Sequence, residues 1–136
     1  MPTLSISSEK VCFLVVKARE FDVQDDNSDP DSGSNPSDDG MVDVLEDHAD
    51  NPVVQEIRSF VDDLAHEEKA DLVALMRLGR GDGTFEEWEA IRDEGLHQHG
   101  HRVAAYLLGE PLVSDYLEEG LAQFGFSCAE FEIGRL

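Results

Sequence analysis

Three carboxylates around a glycine-rich turn have the spacing of an incomplete calcium loop. In an EF-hand loop, Asp82 would occupy the fifth position and Glu89 the bidentate twelfth, with Glu86 between them. The first and third positions should also supply oxygen ligands, but they are Leu78 and Arg80. Two missing ligands and an added cation predict no tight calcium binding. The pattern is more typical of a glycine that ends one helix before the capped start of the next.

A histidine cluster offers a second possible metal site. His97, His99 and His101 alternate along the chain, and Glu94 could be a fourth ligand for Zn²⁺, Ni²⁺ or Cu²⁺. Alternating histidines next to a glycine are, however, more typical of a polar connection between helices. The candidate ligands of a metal-responsive alternative are Asp82, Glu86, Glu89, His97, His99 and His101. The sequence predicts no resident metal and no other cofactor.

Catalytic patterns are weak. Cys12 lies inside an apolar run, which raises the pKa of a thiol and makes it inert, and Cys128 lies in a predicted mobile tail. These two cysteines could form at most one bridge, and they do not resemble a disulfide framework. The sequence has no serine nucleophile elbow and no His-Glu-x-x-His helix. It therefore predicts no enzyme and no catalytic residue, and a hydrolase that uses surface carboxylates is a third hypothesis.

The charge balance excludes several classes of partner. The 136 residues contain 31 acidic and 10 basic ones, a formal net charge of -21. Such a chain repels nucleic-acid phosphates and anionic membranes. It has no apolar run of 18 residues and no secretory leader, which predicts a cytoplasmic protein without a membrane span. A homo-oligomer is possible, but the sequence does not indicate one.

The most acidic part of the chain is an internal segment. Residues 22–50 hold eleven acidic residues and no Lys or Arg, and residues 25–40 contain no apolar side chain. A segment that can bury nothing and repels itself is predicted to be an exposed, mobile loop. The simplest role for this segment is a solubilising spacer. Mimicry of the phosphate spacing of nucleic acid is another alternative. The residues predicted to attract a basic protein surface are Asp25, Asp26, Asp29, Asp31, Asp38 and Asp39.

Helices must position these groups. The sequence predicts four parts: an N-terminal helix in residues 1–22, the acidic loop in 23–40, a helical body in 41–126 and a tail in 127–136. Within the first part, residues 11–16 form an apolar run that fits a helix or a buried strand. The length of the pattern and its polar continuation favour a helix, starting after Ser7 or Ser8.

Cap residues divide the helical body. A short helix is predicted over residues 41–47, and Asn51 is expected to cap the next one. Thr84 and Glu87 form a capping box, while Gly79 and Gly95 are expected to interrupt helices. The predicted fold is all-α, a single domain of about six or seven short helices.

The predicted core of this body centres on a tryptophan. Trp88 is expected to pack against helices over residues 53–64 and 112–124, with Leu112 on the apolar face of the second.

Several runs resemble a known bacterial family. The residues are Leu-Met-Arg-Leu-Gly-Arg-Gly-Asp-Gly-Thr at 75–84 with Trp88 after it, Tyr-Leu-Leu-Gly at 106–109, and Asp-Tyr-Leu-Glu-Glu-Gly-Leu at 115–121. They are similar to the family known as domain of unknown function 3775, over about residues 51–124. The resemblance implies a small helical bacterial protein with no assigned activity and supplies no catalytic residues. Together with the charge, it favours a non-enzymatic interaction protein that binds a basic protein.

Overall fold

The computed structural model describes residues 3–28, 51–99 and 102–129, and in these ranges all regular structure is helical. This confirms the predicted all-α class and the helical interpretation of residues 11–16. The described ranges contain six α-helices, α1 (Ser8–Ser28), α2 (Pro52–Asp62), α3 (His66–Arg80), α4 (Trp88–His99), α5 (Val103–Leu108) and α6 (Val113–Gln123), and a 3₁₀ turn (Phe85–Glu87) leads into α4.

Helix α3 is the central element. Its residues 72–76 are completely buried, and it packs most extensively against α6 and α4. Helix α1 covers the other side of α6 and also contacts α2, where the rings of Phe13 and Phe60 lie 4.7 Å apart. The predicted packing of Trp88 on the last helix is confirmed by Phe124, whose ring centroid lies 4.8 Å away.

Glycines let α3 and α6 cross at unusually short distance. A Cβ atom on Gly79 would lie 1.9 Å from the carbonyl oxygen of Tyr116, and one on Gly120 would lie 2.4 Å from that of Leu75. The prediction that Gly79 ends α3 is therefore wrong, because this glycine serves the crossing. The helix ends instead at Gly81, whose φ of 94° is the left-handed conformation that favours glycine.

The predicted helix starts are confirmed by their hydrogen bonds. The Oδ1 atom of Asn51 accepts from the backbone N–H groups of Val53 at 2.8 Å and Val54 at 3.4 Å. The Oε1 atom of Glu87 accepts from the backbone N–H of Thr84 at 2.9 Å. Both caps satisfy N–H groups that a helix start would otherwise leave without partners.

Three further predictions need correction. Helix α1 continues to Ser28, so the first residues assigned to the acidic loop extend the helix, which ends before Pro30. Gly95 does not break α4, because it lies buried where the helix contacts Val73 of α3. Leu112 precedes α6 and is 50% exposed, so it is not part of the core. The helix predicted over residues 41–47 lies outside the described residues.

The two cysteines are bonded to each other, contrary to the description of Cys12 as a free inert thiol and of Cys128 as part of a mobile tail. Their Cα atoms lie 5.4 Å apart, and both residues are buried. The sequence separation of 116 residues hides this pairing, which depends on α6 returning the chain to α1.

Candidate interaction surface

An open cleft lies between the end of α3 and the outer face of α4. Its volume is about 350 Å³. Its lining consists of Arg77, Asp82, Gly83, Glu87, Ala90, Ile91 and Glu94. Three carboxylates and one guanidinium therefore surround this cleft, with apolar atoms of α4 on one side.

Arg77 is the buried charge of the cleft. Its Nη1 atom donates to Glu94 at 3.2 Å, its Nη2 atom to Gln98 at 2.8 Å, and its Nε atom to the hydroxyl of Tyr106 at 3.3 Å. The side chain is only 10% exposed, so the loss of these partners would leave a poorly solvated cation. Arg77 thereby ties α3 to α4 and α5.

Arg80 holds the turn after α3. It pairs with Asp82 at 2.5 Å and with Glu110 at 2.9 Å, and it donates to the Tyr106 hydroxyl at 3.3 Å. The hydrogen bonds that Arg80 donates to the Asp82 carboxylate are the main reason that the pKa of Arg80 is raised. Arg80, which breaks the calcium-loop pattern at the third position, therefore pairs with Asp82, the carboxylate that would have been the fifth-position calcium ligand.

Arg92 faces inward from α4 to a buried carboxylate. Its Nε atom donates to Asp71 at 2.7 Å, and its Nη2 atom donates to Glu67 at 2.7 Å. Asp71 is completely buried and also accepts from the backbone N–H groups of Ser5 at 2.5 Å and Ile6 at 3.1 Å. Burial lowers the pKa of Arg92, but its two carboxylate partners outweigh burial and raise it. This network fixes the N-terminal segment and α4 to α3.

A ridge of carboxylates, here called the acidic ridge, runs from the 3₁₀ turn onto α4 and is formed by Glu86, Glu89 and Asp93. Glu86 belongs to the turn, whereas Glu89 and Asp93 lie four residues apart on one side of α4, and all three are exposed. Glu89 lies 3.7 Å from Arg92. In the described ranges, neither Glu86 nor Asp93 lies within ion-pair distance of a Lys or Arg. The ridge therefore presents uncompensated negative charge to solvent.

The predicted metal ligands are not brought together in the described part of the chain. Asp82 is paired with Arg80, whereas Glu86 and Glu89 lie on the acidic ridge. His97 and His99 both belong to α4. His101 lies outside the described residues. Among the side chains described, no three His, Cys, Asp or Glu residues form a group that could hold a metal ion.

The six aspartates predicted to attract a partner divide into two groups. Asp25 and Asp26 belong to the last turns of α1. The other four lie outside the described residues, so their role stays a prediction.

Sequence reasoning missed the arginines and Asp71, which organise this region. The available signal was the presence of charged residues inside otherwise apolar helical runs, since a buried charge needs a partner. Arg77 and Asp71 both stand among the buried residues of α3. The identity of their partners depends on how α4 and α5 return to α3, which local patterns do not encode.

The fold and this surface define a small, acidic, all-α protein in which Arg77, Arg80 and Arg92 connect α3 to its neighbours. A family model described as "Protein of unknown function (DUF3775)" matches residues 54–126. Because the match spans more than half of the chain, the protein belongs to this family, which confirms the resemblance of its glycine-rich and tyrosine-containing runs. No curated protein and no solved structure matched the chain. In the part of the chain that the structure describes, no helix is long and apolar enough to cross a membrane.

Proposed function

We propose that the protein is a non-enzymatic interaction protein of the cytoplasm that binds a basic surface on another protein. The observation that carries the proposal is the uncompensated charge of its helical surface. The family segment alone, residues 54–126, holds sixteen acidic and six basic residues.

The distribution of ion pairs supports this proposal. Seven of the nine Lys and Arg residues in the described ranges have carboxylate partners within the chain, so few cations remain to neutralise other acids. The excess then faces solvent at the acidic ridge. A negative field accelerates the encounter with a basic partner, and salt screens it, because the Debye length falls from about 10 Å at 0.1 M to about 3 Å at 1 M.

The test begins with the full chain immobilised and incubated with native extract, followed by elution with salt. The association rate of the eluted basic protein is then measured at about 0.05 M and about 0.5 M salt, because screening is weak at the first concentration and strong at the second. We expect replacement of the ridge by Glu86→Gln, Glu89→Gln and Asp93→Asn to slow association at low salt by roughly threefold to tenfold. A second variant replaces the six aspartates of the acidic segment with asparagine and reports on that segment separately.

A matched control removes the same amount of charge elsewhere. Glu9→Gln, Asp63→Asn and Glu119→Gln change three exposed carboxylates on α1, after α2 and on α6. If the control and the ridge variant slow association equally, only net charge matters and the ridge is not the contact face. If neither the ridge variant nor the aspartate variant changes the rate at low salt, binding of a basic surface by these acids is wrong.

A metal-responsive protein is the alternative hypothesis. No observation among the described residues favours it, since the candidate ligand Asp82 already pairs with Arg80. It stays a prediction for the histidine turn, which includes His101.

A further inference from the structure

The Cys12–Cys128 bond joins two segments that lie on either side of the family domain. Cys12 belongs to the second turn of α1, and Cys128 follows the end of α6. The family match covers residues 54–126 and includes neither cysteine. The bond therefore connects the two segments that flank the matched residues.

Helix α1 has many contacts that do not depend on this bond. Val11 and Val15 are completely buried in the core, and the hydroxyl of Ser114 donates to the backbone carbonyl of Val15 at 3.1 Å. Arg19 forms ion pairs with two carboxylates of α6, Asp115 and Glu118. The bond is thus one of several elements that hold α1 in place.

The segment that carries Cys128 has much weaker attachments. Phe126 still donates its N–H to the Leu121 carbonyl at 3.0 Å, which completes the end of α6, but its side chain is 45% exposed. Beyond it, Ser127 and Ala129 are exposed and share a local hydrogen bond of 3.1 Å. Within residues 127–129, Cys128 is the only buried side chain. Its link to Cys12 is therefore the main anchor of this segment.

We propose that the Cys12–Cys128 bond is a redox-controlled clasp, closed as a disulfide and opened by a dithiol reductant. Opening transfers two electrons and two protons from the dithiol to the bond. The dithiol becomes a disulfide, and Cys12 and Cys128 become thiols. Closing is the reverse reaction, in which an oxidised dithiol carrier accepts the two electrons and two protons.

The different attachment of the two flanks determines what opening does. Helix α1 stays packed because its buried residues remain in the core, whereas residues 127–129 lose their anchor. Opening therefore exposes the Cys128 thiol and leaves Cys12 buried. Because Cys128 is buried between two exposed residues, a reductant reaches the bond through local opening of residues 127–129. In a reducing cytoplasm such a bond is transient and responds to redox conditions, unlike the permanent bonds of secreted proteins.

The test uses the purified full chain, oxidised or treated with dithiothreitol under native conditions. We expect complete reduction without loss of helix, and alkylation of Cys128 at least about tenfold faster than of Cys12, because labelling follows local opening. Hydrogen exchange should rise at residues 127–129 and remain slow at Val11 and Val15. In glutathione buffers, the bond should be closed at oxidising ratios and open at the strongly reducing ratio of cytoplasm.

Variants separate the clasp from a purely structural bond. Cys128→Ser should reproduce the exchange pattern of the reduced chain, and Gln123→Ala, a change at an exposed residue of α6, is a control that should retain the closed pattern. A bond that resists dithiothreitol in the folded protein would be a permanent staple and would overturn the proposal. Equal alkylation of both thiols, or loosening of α1 on reduction, would also overturn it. So would a failure of oxidised glutathione to form the bond in the reduced wild-type chain.

Discussion

Enlarging the two glycines at the α3–α6 crossing tests the packing on which the rest of the molecule depends. The space for a Cβ atom is smaller at Gly79 than at Gly120. A Cβ on Gly79 would lie 1.9 Å from the Tyr116 carbonyl oxygen, and one on Gly120 would lie 2.4 Å from the Leu75 carbonyl oxygen. Both obstacles are backbone atoms, so no side-chain rotation relieves them. The helices themselves must move apart in Gly79→Ala and Gly120→Ala.

The size of the effect follows from these distances. Ordinary contact begins near 3.4 Å, so Gly79→Ala requires a separation of about 1.5 Å and Gly120→Ala about 1.0 Å. Alanine gains about 1 kcal/mol of helix propensity over glycine. Overpacking of a core costs about 1–3 kcal/mol or more. Because the clash here is with backbone, we place the cost at or above the upper end of that range, about 4 kcal/mol at Gly79 and about 3 kcal/mol at Gly120. After the gain in helix propensity, the net destabilisation is about 3 kcal/mol and about 2 kcal/mol.

The assay is urea unfolding followed by the fluorescence of Trp88, which packs against Phe124 at the end of α6. One separation of the helices relieves both clashes, so the double variant should lose less than the sum of the single losses, by about 1 kcal/mol. The control is Glu119→Ala, an exposed neighbour expected to change the free energy of unfolding by less than about 0.5 kcal/mol. Single variants as stable as wild type, or stabilised by helix propensity alone, would refute the close crossing.

Two further predictions concern charges. Hydrogen bonds from Lys10 and the Ala65 N–H lower the pKa of Glu68, so its stabilisation is present above pH 4.5 and is lost as pH falls through the lowered value. Glu68→Gln should therefore be less stable by about 0.5 kcal/mol at neutral pH in urea melts, and a gap that does not narrow as the pH falls below 4.5 would contradict this. Asp71→Asn should lose about 3 kcal/mol because it leaves Arg92 with a weakened buried partner, and a loss below about 1 kcal/mol would contradict that role.

Local chemistry explains which parts of the fold were predictable. The caps at Asn51 and Thr84 act within three residues, so the sequence alone contains both donor and acceptor. The helical interpretation of residues 11–16 was also correct, because the pattern continues beyond the length of a strand. These elements depend little on the rest of the chain.

Glycine was the least predictable residue because it has two opposite uses. It can end a helix by adopting positive φ, as Gly81 does, or it can allow two helices to approach closely, as Gly79 and Gly95 do. The choice depends on whether another helix crosses at that residue. For Gly79 that helix contributes Tyr116, and no pattern around residue 79 contains this information.

The partners of the buried polar groups and of the cysteines also could not be predicted from the local sequence. Asp71 accepts hydrogen bonds from Ser5 and Ile6, more than sixty residues away, and Cys12 bonds to Cys128 across 116 residues. The sequence shows that such groups are present, but it does not show which residues they contact. Their partners follow from the antiparallel return of the helices around α3.

The placement of the cations separates acids that stabilise the fold from acids that can serve binding. Arg77 and Arg92 tie α4 to α3, so removing their carboxylate partners would weaken the molecule. Asp93 and Glu86 have no such partner in the described ranges, and their mutual repulsion opposes folding. Neutralising Glu86 and Asp93 should therefore leave stability unchanged or slightly higher at low salt, whereas Glu89→Gln removes an exposed pair with Arg92 that is worth at most about 0.5 kcal/mol. A slower association of the ridge variant could then be attributed to the surface itself and not to loss of the fold.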